Sequence, residues 1–312
     1  MTATDAGIAR HAVRVRALNE GGGEGAGSGR LAHWAGESNR TAAVNVRLDA
    51  FHCTLAKVRA VTPLQTEMLA GRAAVATDDQ FARWITHFAN NRARHEATEA
   101  GVDWDSPAAL PEGVRNAITH SFQRFELGEG GDGEHLLRKA ARCSPAQQEA
   151  LRLLVVEEQQ HSELFARGLQ HLGASTLPGH WSDRVFTRLR RILGLRTELA
   201  LFLAAEAVAM PYFVVLSRSG PDDVIRAVGT RIALDEEHHL AFQIDQLRLG
   251  FAATPPAVRA LVFAVWWCVA VGAATVLAID HRAALRACGL APRSYWGSAL
   301  RSFRQAAAAA LG

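Results

Sequence analysis

The sequence predicts an all-α protein: a four-helix bundle with additional helices before and after it. Three observations carry that prediction. Apolar residues recur at helical spacing over long runs, and no strand-like alternation is long enough for a sheet. Turn signals cut residues 111–250 into four long segments. A chain of 312 residues with 49% apolar and 21% charged side chains can also bury a sizeable core.

The segments follow in order. Residues 1–40 read as a flexible N-terminal segment, because EGGGEGAGSGR (20–30) is rich in glycine. Residues 41–110 read as a helical extension. Its clearest helix is ATDDQFARWITHFANNRARHEA, with Asp78 and Asp79 at its start and Phe81, Trp84, Ile85 and Phe88 at helical spacing. Pro107 and Pro111 break the pattern.

The bundle occupies 111–250. Its first segment runs from about Glu112 to Arg142 and stops at Cys143-Ser144-Pro145, with Ser144 as N-cap and Pro145 opening the next helix. The second runs from about Pro145 to Leu172 and ends near Gly173. A long link follows, containing the basic helical piece WSDRVFTRLRRILG. The third runs from about Arg196 to Arg218. Ser219-Gly220-Pro221 then supplies a C-cap glycine and a proline that can open the fourth, to about Gly250. Two helical hairpins joined by one long crossover make a four-helix bundle.

Residues 251–312 read as C-terminal helices packing on the bundle. Within them Leu261–Ile279 carries no charge over 19 residues, long enough for a membrane-spanning helix. A helix buried against the bundle or in a homodimer contact would look the same, and its alanines, its glycine and the adjoining Asp280-His281-Arg282 weigh against insertion.

Charge and cysteine usage exclude some functions. A net charge of +3 gives no reason to propose nucleic acid. The basic link from Arg184 to Arg196 could still lie against anionic lipid or an acidic carrier protein. Cys53, Cys143, Cys268 and Cys288 lie far apart with no CxxC pair, and read as buried free thiols in a reducing compartment. The N-terminus has no apolar run of signal-peptide length, so the expected location is cytoplasmic.

Two Glu-x-x-His motifs carry the chemistry: Glu158 and His161 in VVEEQQHSE, and Glu236 and His239 in LDEEHHLAF. Residues three apart on a helix are surface neighbours, so each pair can aim a carboxylate and an imidazole at one metal. In an antiparallel hairpin, residues equally far from the turn lie at the same height. Glu158 is 14 residues after Ser144, and Glu129 is 15 before it. Glu206 is 14 residues before Gly220, and Glu236 is 16 after it. Each motif therefore faces a lone glutamate. Glu206 also sits alone among apolar residues, where an unpaired carboxylate must be neutral or bound to something positive. The glycines around Glu129 leave Glu126, one turn earlier, as the alternative first ligand.

Glu129, Glu158, His161, Glu206, Glu236 and His239 supply four carboxylates and two imidazoles, the donor set of a dinuclear iron or manganese site. Their order, with the phrases FELGEGGDGEHLLRKA, RLLVVEEQQH and LDEEHHLAF, resembles the ferritin-like di-iron carboxylate superfamily over residues 112–245. The resemblance implies two iron ions, with manganese as a substitute at either site. It implies an oxidoreductase that activates dioxygen to hydroxylate, desaturate or N-oxygenate a small organic substrate. No flavin or iron–sulfur motif is visible, so an external reductase is expected. A ferroxidase or metal-handling protein without organic substrate is the alternative.

The resemblance also gives roles to the acids that precede each motif. Asp235 is expected to accept a hydrogen bond from His161, and Glu157 is the equivalent acid on the other helix. Phe165, Phe202, Met210 and Phe242 lie within about one helical turn of ligands and are candidates for a substrate or oxygen pocket, or plain core.

Overall fold

Helix α1 (Asp78–Glu99) turns a stripe of Phe81, Trp84 and Phe88 inward, and the same stripe continues into the buried polar residues Asn91 and His95. The computed structural model describes residues 78–180, 188 and 194–312; the expectations for 1–40, for 41–77, for Cys53 and for most of the link around 181–193 lie outside the described residues. Among the described residues every regular element is helical: α2 (Glu112–Glu129), α3 (Glu134–Ala140), α4 (Pro145–His171), α5 (Leu195–Ser219), α6 (Asp223–Phe251), α7 (Pro256–Asp280), α8 (Arg282–Ala287) and α9 (Pro292–Leu311) follow α1. The fold is all-α.

The first bundle segment is not one helix from Glu112 to Arg142. It breaks into α2 and the short α3. Gly133 between them has φ +65°, and a Cβ there would come within 2.4 Å of Val155. Only glycine takes that backbone beside that neighbour. The break leaves Glu129 as the last residue of α2. At the next start, the Ser144 side chain accepts from the Gln147 N–H at 3.3 Å, with Pro145 at the first helical position. Helix α6 is capped one residue beyond Pro221: the Asp222 carboxylate accepts from the Ile225 N–H at 2.8 Å.

The four long helices pack in the cyclic order α2, α4, α6, α5. Ser162 donates to the Glu126 carbonyl between α4 and α2, His239 meets Glu157 between α6 and α4, and Gln243 meets Glu206 between α6 and α5. Ser121 and Tyr212 close the ring between α2 and α5. Helix α1 lies across α4 and α6, and Trp84 and Arg83 fasten it to Asp245 of α6. Helix α9 covers α5, α6 and α7, and its Tyr295 hydroxyl donates to the Val208 carbonyl at 2.9 Å.

The aromatic core lies where α2, α4 and α5 meet. Phe125 stacks on Phe165 and Tyr212 and tilts against Phe213. Below it, the buried His281 and Tyr212 share Ser121, with His281 Nδ1 at 2.8 Å and the Tyr212 oxygen at 2.6 Å from Oγ. The cysteines differ from expectation. Cys143, Cys268 and Cys288 are all free, but only Cys288 is buried; Cys143 is half-buried and Cys268 is exposed on α7.

Two outcomes test this packing. A Cβ on Gly229 would come within 2.6 Å of the Ser217 nitrogen and 2.8 Å of the Leu216 carbon, both backbone atoms across the α5–α6 crossing. Gly229→Ala is expected to cost about 2 kcal/mol by urea unfolding, because backbone must move. Burial, helped by His120 and Arg124 and opposed by Asp280, holds His281 down from 6.5 to about 4. The ring stays neutral in the folded chain while the unfolded chain takes up its proton, so this contribution is full above 6.5 and is lost as pH falls toward 4. Stability measured between these limits should fall with a shallower slope in His281→Gln than in the wild type.

Candidate metal centre

The two Glu-x-x-His motifs lie on α4 and α6, whose antiparallel packing sets them face to face. One ligand atom each from Glu158, His161, Glu236 and His239 lies within 4.8 Å of all the others. The two imidazoles sit with centroids 5.2 Å apart and present their Nδ1 atoms to the carboxylates. His239 Nδ1 is 3.0 Å from Glu158 Oε1, and His161 Nδ1 is 3.4 Å from Glu236 Oε1.

The other nitrogen of each ring is clamped. Asp235 Oδ2 takes His161 Nε2 at 3.1 Å, and Glu157 Oε2 takes His239 Nε2 at 2.8 Å. The fields of these rings and hydrogen bonds outweigh burial and hold both acids below their usual range, so each accepts and the ring Nε2–H donates. That leaves both Nδ1 atoms pointing into the cluster. The clamps are anchored in turn by residues that the sequence pattern did not single out. On α1, Asn91 donates to Glu157 Oε1 at 2.7 Å, and His95 Nε2 meets Asp235 Oδ1 at 2.8 Å. On α6, Arg231 donates to Asp235 Oδ2 at 2.6 Å and also reaches Glu99 and Gln160. The available signals were polar residues on the apolar stripe of α1, and an arginine one turn before Asp235.

The lone glutamates come from the other two helices and are not part of that four-residue group. Glu206 Oε1 accepts from Gln243 at 2.5 Å, and its Oε2 has no partner. Burial, then the charges of Glu236 and Glu158, push the Glu206 carboxyl well above the usual range. Glu129 is raised the same way, first by burial and then by Glu158, to which the protonated Glu129 donates. Glu126 lies apart: burial raises it, and a hydrogen bond with Ser162 opposes. Glu129 borders the same small cavity as Glu158, and the Glu126 carboxyl has Ser162 as its hydrogen-bond partner.

Electrostatics show what the cluster lacks. Burial opposes charge on Glu158, yet His239 and His161 pull it down to about 2. Burial likewise opposes charge on His161, yet Asp235, Glu236 and Glu158 hold it up at about 9, and His239 is raised well above its ordinary value by Glu158 and Glu157. Protons on imidazoles and acids here balance negative charge that would otherwise be uncompensated. Among the described residues no lysine or arginine pairs with Glu129, Glu158, Glu206 or Glu236. Both oxygens of the buried Glu236, Oε2 of Glu206, and Nδ1 of His161 and His239 make no hydrogen bond. Five buried polar atoms converging without partners fit a cation-binding site. A second group, His95, Glu157 and Asp235, is also close enough to hold a metal, but both its carboxylates and the His95 Nε2 are engaged in the clamps.

The four pocket candidates do not line one pocket, because each lies at a different helix interface. Phe202 borders a small cavity of about 30 Å³ with Glu129, Glu158, Gly131 and Gly133. Phe165 belongs to the aromatic core against Phe122 and Phe125. Phe242 is wedged under α1 between Trp84 and Phe88. Met210 lines an open groove of about 740 Å³ along α5, α6 and α9, together with Leu234 and Glu237. His238 is turned to the Leu234 carbonyl and packs against His87 at 4.2 Å, outside the cluster.

Arg231 is 4% exposed and, among the described residues, is the one arginine on Asp235. Arg231→Met should leave that carboxylate short of a cation and cost about 3 kcal/mol in urea unfolding, far above the loss expected for an exposed arginine.

Compared with family models, with curated proteins and with solved structures, the chain finds no match in any of the three.

Proposed function

We propose that this chain is a ferritin-like dinuclear-iron protein that reacts with dioxygen. The observation that carries the reading is the group Glu158, His161, Glu236 and His239, close enough to share a metal, in which both Glu236 oxygens and both ring Nδ1 atoms make no hydrogen bond. Glu129, Glu158, Glu206, Glu236, His161 and His239 would hold two metal ions. Four carboxylates balance two divalent cations, and one imidazole per metal among oxygens suits iron, or manganese in its place, better than structural zinc. When bound, ferrous ions supply the electrons that reduce dioxygen.

The residues of the chain do the rest. Asp235 and Glu157 fix the two rings with Nδ1 inward, so little reorientation is needed on binding. Gln243 steadies one oxygen of Glu206 and leaves the other free. Phe202, Leu154 and Val155 keep the cavity beside Glu158 apolar on one side, and the glycines 128–133 border it. In this reading an organic substrate approaches along that glycine segment, and a separate reductase supplies electrons for turnover.

The size of the cavity favours a second reading. About 30 Å³ admits a molecule the size of dioxygen or water and no organic substrate. A ferroxidase that takes only iron and dioxygen needs nothing larger.

Anaerobic loading with ferrous iron tests the centre. The wild type should retain about two irons per chain, and Glu206→Ala one or none. A wild type without tightly held iron overturns the reading. Oxygen uptake then separates the two roles. Uptake that continues with each addition of ferrous iron marks a ferroxidase. Uptake that stops after one round and resumes only with a reductant marks an oxidase.

A further inference from the structure

Helix α7 presents a long uncharged face that no described element covers. Leu261, Ala264, Cys268, Gly272, Val276 and Ile279 recur every three or four residues along it, all exposed. Leu261 is 56% exposed, Val276 44% and Ile279 58%. Of its 25 residues only Trp266, Ala270 and Ala274 are buried. Gly272 has no internal reason to be glycine, since a Cβ there would meet nothing within 4 Å. A soluble surface seldom keeps so continuous an apolar stripe without a use.

The charge around this face is one-sided. Residues 256–312 carry six arginines, no lysine, no glutamate and one aspartate, a formal +5 against +3 for the whole chain, so the remainder is net acidic by two. The aspartate, Asp280, is engaged by His120 and Arg124. Arg282, Arg286, Arg293, Arg301 and Arg304 are exposed and, among the described residues, make no ion pair. Elsewhere Arg83, Arg92, Arg138, Arg152, Arg167 and Arg226 pair with acids, while among the described residues Arg115 and Arg248 reach only backbone carbonyls. What sets the α8–α9 border apart is that its five exposed arginines lie together with no glutamate among residues 256–312. Arg282 and Arg286 follow the C-terminal end of the stripe. Arg293 and Arg304 share a helix face with Trp296, whose indole N–H donates to Thr275 of α7 at 3.1 Å. An indole at the edge of an apolar face beside arginines suits the boundary between lipid headgroups and acyl chains.

We propose that the outer face of α7, with its arginine border on α8 and α9, docks on an anionic lipid bilayer. The helix lies on the membrane and does not cross it. Trp266 packs on Phe251, and Arg259 ties the start of α7 to the Thr254 and Leu311 carbonyls at 2.9 and 2.6 Å. The far end is held by the buried His281 on Ser121. Both ends are therefore part of the folded body. A second copy is a poorer occupant, because a two-fold contact through this face brings one cationic border against another. Anionic headgroups neutralise that border, and the apolar stripe enters the acyl boundary.

The test uses the full chain, purified without detergent, sedimented with vesicles of phosphatidylcholine alone or with about a third phosphatidylglycerol. Binding to the anionic vesicles should exceed binding to the neutral ones by at least about tenfold and weaken as salt rises to about 0.5 M. The triple variant Arg293→Glu, Arg301→Glu, Arg304→Glu and the double variant Leu261→Ser, Ile279→Ser should each bind at least about tenfold less, with unchanged circular dichroism and Tm. Alkylation of the exposed Cys268, followed by peptide mass spectrometry, should slow when anionic vesicles are present. Failure to bind anionic vesicles overturns the proposal, as does equal binding by the variants. A dimer that Leu261→Ser dissociates would assign the face to a second copy. A chain that needs detergent and resists extraction by alkaline carbonate would make α7 a spanning helix. Either result also overturns it.

Discussion

The structure depends on keeping several charges out of water at one point inside packed helices. Glu236, His161 and His239 are fully buried, and Glu206 nearly so. An isolated ion there would be prohibitively costly, so each must be neutral, paired or bound to a cation. The chain supplies pairing on one side only. The outward ring nitrogens are hydrogen-bonded by Asp235 and Glu157, while the inward nitrogens face the carboxylates of Glu158 and Glu236 without a well-formed hydrogen bond. A merely structural network would have closed the inner side too, with an arginine or an amide. Arg231 shows that the fold can bury an arginine in this neighbourhood; it serves the clamp at Asp235 and stays off the cluster.

This arrangement explains why α1 belongs to the site although it carries none of the inward-facing groups. The carboxylates of Asp235 and Glu157 each have two oxygens. One oxygen of each holds a ring, and the other is taken by α1, through His95 and Asn91. Without α1 those oxygens would face water or swing, and the rings would lose a fixed partner. The aromatic contacts of Trp84 and Phe88 with Phe242 fasten α1 over this spot. Packing of an outer helix thus becomes orientation of an inner imidazole, as supporting residues do where such groups hold a metal.

Much of this was legible because helices and turns have local chemistry. Ser144-Pro145 and the acidic start at Asp78 mark helix ends by side chain alone. The depth count across the two hairpins could pick Glu129 and Glu206 because antiparallel helices keep register. The break after Glu129 was less legible: glycine tolerates a helix interior at modest cost, and only the contact of Gly133 with Val155 forces the chain out of it. The anchors on α1 were not legible, since nothing in RARHEATE says which distant carboxylate it meets. The four pocket candidates part company for a related reason: Phe202 borders the cavity beside Glu158, and the others lie elsewhere. Phe165, Phe202, Met210 and Phe242 lie near ligands in sequence, but side chains one turn apart point to different neighbours once four helices close around a core.

Among the described residues two helices are long and apolar enough to cross a membrane by composition, and they have opposite fates. Helix α5 is mostly buried, because α6 and α9 close over it and it must carry Glu206 into a dry interior. Helix α7 touches α5 and α9 along one narrow edge and leaves the rest uncovered. Composition alone cannot separate these cases, since both sequences satisfy the same hydropathy. Their surroundings do. Beside α5, Lys139 pairs with the buried Glu198 at 2.6 Å. The arginines that border α7 have no acid among the described residues, and they are gathered beside an apolar face that no described element covers. An apolar face and an unmatched cationic rim on the same side of a molecule need the same kind of complement, which a neutral solvent does not provide.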